Sequence, residues 1–308
     1  MTINITDPVF HDETKAREFL ELQRWPHGPV CPFCKEQKNV VRLGGEAAKK
    51  GLVLCRPCRK KFSMTVGTVM ERSHIPLTKW LMGFRLMASS KKGISAHQMH
   101  RMMGITYKTA WFLNHRIREA MGLPVSSGPI GGEGKIVEVD ETFVGGKKKN
   151  VHKGKPEPKK HPVVALIERD GEMRVRHVAN VTQKTFREVL FTQADRKSIL
   201  MTDDSTWSRL AGKAYAQHEA VKHSLGEYVS KDGISHIQTA ESFFSLLKRG
   251  IMGSFHSVSE AHLQRYADEF AFRWNYRDVD DETRANEIIK ATAGKRLTYR
   301  PSDEASHE

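Results

Sequence analysis

The four cysteines of this chain stand in two close-set pairs, CPFC at 31–34 and CRPC at 55–58, with twenty residues between the pairs. No other feature limits the fold as tightly. A C-x2-C doublet can turn two thiolates onto one ion from a tight knuckle, and two knuckles complete a tetrahedral sulfur set. In a reducing compartment the pattern favours metal over disulfides. Two disulfides or a redox-active doublet are the competing readings, and no thioredoxin-like βαβ pattern surrounds the cysteines. Cys31, Cys34, Cys55 and Cys58 are therefore expected to hold a structural Zn2+ in a ribbon whose short strands lie in VVRLGG and KKGLVLC. Ahead of them, Ala16, Phe19, Leu20 and Leu22 recur at helical spacing in DETKAREFLELQRW, which predicts an amphipathic helix packed on the ribbon. Helix and ribbon would form a first module over residues 1–70.

The chain has 308 residues and a formal charge of +14, a balance that suits a polyanionic partner, nucleic acid ahead of an acidic membrane surface. Arg56, Arg59, Lys60 and Lys61 add local positive charge beside the second doublet. No run of eighteen apolar residues occurs, and MTINITDPVF lacks the basic and apolar regions of a secretory signal, so a cytoplasmic protein is expected.

From about Leu77 the pattern turns helical, and a second module is expected over 71–122. Ser95 is a suitable N-cap, Gly104 a stop and Thr106 a second cap, with Ala110, Leu113, Ile117 and Met121 on one apolar face of the following helix. Helix, glycine turn, helix is the outline of a helix-turn-helix, and its second helix would offer Lys108, Asn114, Arg116 and Arg118 to the major groove. An ordinary helical hairpin is the plainer alternative.

Residues 123–134 read as a Gly/Pro/Ser linker into a domain over 135–293. Its first strand, KIVEVDETFVGG, carries Asp140 and Glu141 in a β-branched run, where an unpaired buried charge is costly. A lysine-rich stretch at 145–160 reads as a basic loop, and HPVVALIERDGEMRVRHVAN as two strands about a turn at Asp170-Gly171. A helix with Phe186, Val189 and Leu190 inward precedes the apolar strand Ile199–Met201, which ends at Asp203 and Asp204. Ligand sites gather at such carboxyl ends. In TAESFFSLLKRGIMG, Phe243, Leu246 and Leu247 share one side of a helix and Glu241, Ser245 and Lys248 another. Acids on a first strand, a later strand and a helix suit two hard divalent ions about 4 Å apart, which activate a nucleophilic oxygen and stabilise the leaving oxygen in phosphoryl displacement. That order fits a ribonuclease H-like fold, an α/β class with a mixed sheet and flanking helices.

The motifs IVEVDETFVGGK, MTDDS and HIQTAESFFSLLKRGIMGSFHSVSEAHLQRYADEFAFRWNYR resemble those of the DDE transposases of bacterial insertion sequences. WPHGPVCPFC and LCRPCRKKFS match the branch with a four-cysteine zinc ribbon, so the resemblance runs from about residue 8 to 278. It implies Asp140, Asp203 and Glu241 as the acids that bind catalytic Mg2+ or Mn2+, with Lys248 a basic residue on DNA phosphate beside Arg249, and Glu141 outside the triad. Asp204 departs from the family pattern and stands as a second choice for the second acid; Gln238 stands where Asn is common, two residues after His236. The resemblance further implies a transposase acting as a homo-oligomer on double-stranded DNA, both element ends and target, and nucleoid-associated when bound. A non-catalytic DNA-binding regulator would leave the three acids unexplained, and a stand-alone nuclease the two N-terminal modules. Ser257 and Glu260 suggest a capping box for a last helix that buries Leu263, Tyr266, Ala267, Phe270 and Trp274. RWNYR (273–277) offers basic and aromatic groups to DNA, and residues 294–308 are expected to form a polar, disordered tail.

Overall fold

The computed structural model describes residues 4–122, 128–146, 159–203, 206–221 and 237–298. The lysine-rich segment 147–158, Asp204, His236 and residues 299–308 lie outside them. The chain divides into two compact units, Met1–Gly122 with Val279–Glu308, and Leu123–Asp278. No described helix is long and apolar enough to cross a membrane.

The first unit begins with α1 (Glu13–Arg24), started by the Asp12 carboxylate, which accepts from the Thr14 and Lys15 amides. Ala16 and Leu20 are buried. Leu22 departs from the expected stripe and is 61% exposed, because Glu21 takes the inward place and bonds Arg42 at 2.6 Å. Strand β1 (Val40–Arg42), the short helix α2 (Glu46–Lys49), β2 (Val53–Cys55) and β3 (Lys61–Phe62) follow, and the strands form one antiparallel sheet. Trp25 packs edge-on to Phe62, and the Arg24 guanidinium donates to the carbonyls of Met64 and Val66, so α1 is fastened to the ribbon.

Helices α3 (Leu77–Ser89), α4 (Ala96–Met103) and α5 (Tyr107–Met121) make the expected helical stretch. Ser95 accepts from the Gln98 amide and Thr106 from the Thr109 amide, as their positions predict. Between them Gly104 adopts φ +62°, the left-handed conformation that closes α4 at little steric cost. Pro76 precedes α3 without a capping side chain, and Glu13 on α1 supplies the acceptor for the Leu77 and Thr78 amides.

In the second unit, β4 (Ile136–Gly145), β5 (Lys160–Glu168) and β6 (Met173–His177) form the expected antiparallel meander. Then come α6 (Gln183–Gln193), β7 (Ile199–Asp203), α7 (Thr206–Gly212), β8 (Gln217–Val221), α8 (Gln238–Gly250) and α9 (Glu260–Asn275). The sheet order is β6-β5-β4-β7-β8, with β7 and β8 parallel to β4. This is the ribonuclease H-like arrangement. Strand β8 has no counterpart in the sequence reading, since QHEAV at a sheet edge lacks an apolar run. One face of the sheet, with Val163, Ala165, Ile167 and Val175, is covered by α8 and α9 through Phe243, Leu247, Leu263 and Phe270. The other face, with Val137, Val139, Leu166 and Leu200, packs on Phe186, Val189 and Leu190 of α6.

Three expectations about the C-terminal part are corrected. The N-cap of α9 is Ser259 rather than Ser257, so Ser257 and Glu260 do not form a capping box. Tyr266 and Trp274 are only partly buried, although Trp274 packs edge-on against Phe243. Helix α10 (Asp281–Lys290) belongs with the first unit, as do residues 294–298, where Lys295 donates to the Ala120 carbonyl and Leu297 accepts from Arg116. The start of the expected tail is thus bonded structure.

Candidate active site and zinc ribbon

Strand β4 lies between β5 and β7 and carries Asp140 opposite Ala165. The parallel register pairs Glu138 with Met201. Continued by two residues, it brings Asp140 beside Asp203, the last residue of β7. Partners in register point to one face, here the face that α8 covers. Glu241 lies in the first turn of α8. Asp140 is pushed up to about 7, first by burial and then by the charges of Glu141, Asp203 and Glu241, while the Glu141 amide, donating at 2.8 Å, works the other way. Three acids from three elements therefore act on one half-buried carboxyl. Their oxygens are spaced more widely than the described ligand sets that close within 4.8 Å. Glu141, one residue on in the strand, projects to the opposite face, as the period of two requires. Lys248 and Arg249 are exposed near the end of α8, two turns beyond Glu241.

One residue of this site had no signal in the sequence. Glu138 is fully buried two residues before Asp140, and so on the same face. Its carboxylate accepts from Arg169 Nε at 2.8 Å, from the Thr239 amide at 3.1 Å and from the Thr239 hydroxyl at 3.0 Å. Helix α8 begins after Ile237, which offers no capping side chain. Glu138 thus caps the helix of Glu241 from the strand of Asp140 and fixes the spacing between the two acids. Carboxylate at a helix N-terminus is favoured by the free amides and the dipole there.

In the ribbon, Cys31 Sγ lies 3.6 Å from Cys58 Sγ and Cys34 Sγ 3.5 Å from Cys55 Sγ, with all four sulfurs within 4.8 Å of one another. Sulfurs about 2.3 Å from a tetrahedral centre stand about 3.8 Å apart, so the set fits zinc. It is far too open for disulfides, whose sulfurs are about 2 Å apart. Lys35 and Arg59, each one residue past a doublet, both have positive φ, at 64° and 54°. That bend turns each knuckle. Burial opposes the Cys31 thiolate, yet the Cys34 and Phe33 amides and the neighbouring thiols bring its pKa down to about 7, the form a metal needs. Arg56, Arg59, Lys60 and Lys61 are all exposed.

The expected DNA contacts on α5 are corrected for three of four residues. Asn114 is buried and donates to the Ile94 carbonyl, Arg116 is buried with its guanidinium over Phe112, and Arg118 is 2% exposed. Asn114 and Arg118 fall on turns of α5 that face the unit's interior, and Arg116, held by Leu297 and Phe112, borders the groove that Lys108 lines. Lys108 is exposed in the first turn of α5 and lines an open groove of about 640 Å³ with Arg72, His74 and Thr106.

A mixed sheet in this order, a carboxyl surrounded by acids on its helix-covered face, and a four-cysteine ribbon in a separate unit define a ribonuclease H-like protein with a zinc-binding module. Residues 131–275 match the ISXO2-like transposase domain, and residues 11–61 match the transposase zinc-ribbon domain. Both matches are to transposase domains of the IS1595 type, and between them they take in the catalytic sheet and the ribbon. The chain is 27% identical over 283 residues to an uncharacterized protein in transposable element ISH50 of Halobacterium salinarum, covering 86% of this chain and 92% of that one. A chain of the simian T-cell lymphotropic virus intasome, solved with PP2A regulatory subunit B56 gamma, overlaps with 64% of this chain and 69% of its own length at 13% identity and a TM-score of 0.30. That overlap is too loose to bear on function.

Proposed function

We propose that this transposase binds the terminal inverted repeats of its element and cuts and joins DNA strands at a site formed by Asp140, Asp203 and Glu241. The observation that carries the reading is the convergence of three acids, Asp140 on β4, Asp203 in register beside it on β7 and Glu241 in the first turn of α8. Oxygen-only donors with surplus negative charge suit Mg2+ or Mn2+. When bound, two such ions lower the pKa of the attacking water or 3′-hydroxyl and neutralise charge on the leaving oxygen. Asp140 and Asp203 hold their carboxylates from adjacent strand positions, and Glu241 closes the site from the helix. Lys248 and Arg249, exposed on the same helix, are placed to pair with a DNA phosphate. No side chain is required to form a covalent bond to DNA.

End recognition falls to the first unit. Exposed Arg56, Arg59, Lys60 and Lys61 on the ribbon supply phosphate contacts, and Lys108 at the start of α5 borders the groove beside the helix-turn-helix. A homo-oligomer assembled on paired ends in the cytoplasm, held at the nucleoid by its DNA, completes the reading.

The test uses a labelled duplex carrying the element's end. Asp140→Asn, Asp203→Asn and Glu241→Gln are expected to bind it as wild type does and to cut it about a thousandfold more slowly in Mg2+, equivalent to roughly 4 kcal/mol. Cleavage at the wild-type rate by the Asp140 variant would overturn the assignment.

A further inference from the structure

On the catalytic sheet, away from the three acids, two imidazoles and a carboxylate converge without a role in the reaction. His161 lies on β5, four residues before Ala165, the partner of Asp140. At the rise of a strand that separates it from the acids by about 13 Å. His177 ends β6, where it pairs with Val163 and so stands diagonal to His161 on the same face. Glu260 is the first residue of α9, which packs on that face. One ligand atom from each of the three lies within 4.8 Å of the others. His161 Nδ1 is 3.5 Å from Glu260 Oε2, and the two imidazole rings are 6.1 Å apart at their centroids.

We infer that His161, His177 and Glu260 form a second metal site that takes a zinc-class divalent cation. The donor set decides the class, since two imidazoles and one carboxylate suit zinc and neighbouring transition metals rather than Mg2+. Ligands about 2.0–2.2 Å from a tetrahedral ion stand about 3.3–3.6 Å apart, a range that includes the 3.5 Å between His161 and Glu260. His177 Nε2 gives an independent sign. It is buried and has no hydrogen-bond partner, although its residue's amide is bonded to Gln264. A buried ring nitrogen without a partner is rare and calls for one. A bound ion satisfies it, with water in the fourth position, and ties the start of α9 to the β5–β6 ladder.

The test counts metal in the purified full-length protein after loading with Zn2+ and dialysis. Wild type is expected to retain one zinc more than His161→Ala and one more than Glu260→Gln, while Asp140→Asn matches wild type and so excludes the acid site as the source. The ribbon's own zinc, retained in every variant, reports that the protein is folded. With Co2+ the extra equivalent should show d–d absorption without the sulfur-to-cobalt charge-transfer bands that mark the ribbon. Equal zinc content in wild type, His161→Ala and Glu260→Gln would show an ordinary histidine–carboxylate contact and overturn the inference.

Discussion

Asp140 and Glu138 sit two residues apart on one face of β4 and meet burial in opposite ways. Glu138 has Arg169 and the start of α8 to offset its charge. Asp140 has acids around it, and its pKa rises to about 7 for that reason and for burial. A carboxyl whose folded pKa exceeds its unfolded value of about 3.8 supports the fold when protonated. Its contribution is present below pH 4 and is lost as the pH rises through 7. In Mg2+-free buffer the melting temperature of wild type should therefore fall between pH 4 and 8 relative to that of Asp140→Asn, and added Mg2+ should narrow the gap. Parallel curves for the two proteins would refute the electrostatic description of the site. Replacing Glu138 with Gln leaves Arg169 half-buried without its counter-charge, for which a loss of about 3 kcal/mol is expected in denaturant unfolding. The three acids could be singled out as candidates because each stands at a place where a strand or polar helix stripe has no other use for a carboxylate. Glu138 could not, because its partners lie 31 and 101 residues away.

Among elements, the helices divide by how they begin. Those started by their own side chains at Ser95 and Thr106 were placed from local sequence, whereas α10, capped in the same way by Asp280, was not. Helices α3 and α8 have no such residue and borrow Glu13 and Glu138 from other elements. Ser95→Ala should cost about 1 kcal/mol, read by chemical unfolding, as loss of a local cap does. Gly250→Ala should cost more, because a Cβ at the end of α8 would run into the Phe270 ring of α9. The same long-range bonding explains Asn275 in RWNYR, which was expected near DNA. Its amide pairs with both backbone groups of Met173, and Gln264 bonds His177 and Val175, so α9 covers the free edge of β6. Such cover blocks pairing with another chain.

For the molecule as a whole, the ribbon and the catalytic sheet lie in separate units, and their metal dependences should separate too. Stripping zinc should expose four reactive thiols and abolish end binding, since a ribbon of this size owes its folding to the metal. Binding should also weaken steeply with salt, because its first contribution comes from lysines and arginines on phosphate. A salt-independent affinity would count against the basic surface of the first unit. The division itself was only partly readable. The stretch 123–134 was read as a linker, yet Ile130 within it is buried in the core of the second unit, and nothing local told that α10 and residues 294–298 return to the first unit, because that follows from tertiary contacts such as Arg116 with Leu297. The central claim is that Asp140 touches a catalytic cation, and Asp140→Cys tests it most directly. A thiolate prefers softer ions than a carboxylate does. End cleavage by this variant should be abolished in Mg2+ and recovered in Mn2+, with DNA binding unchanged; full cleavage in Mg2+, or none in either ion, would contradict it.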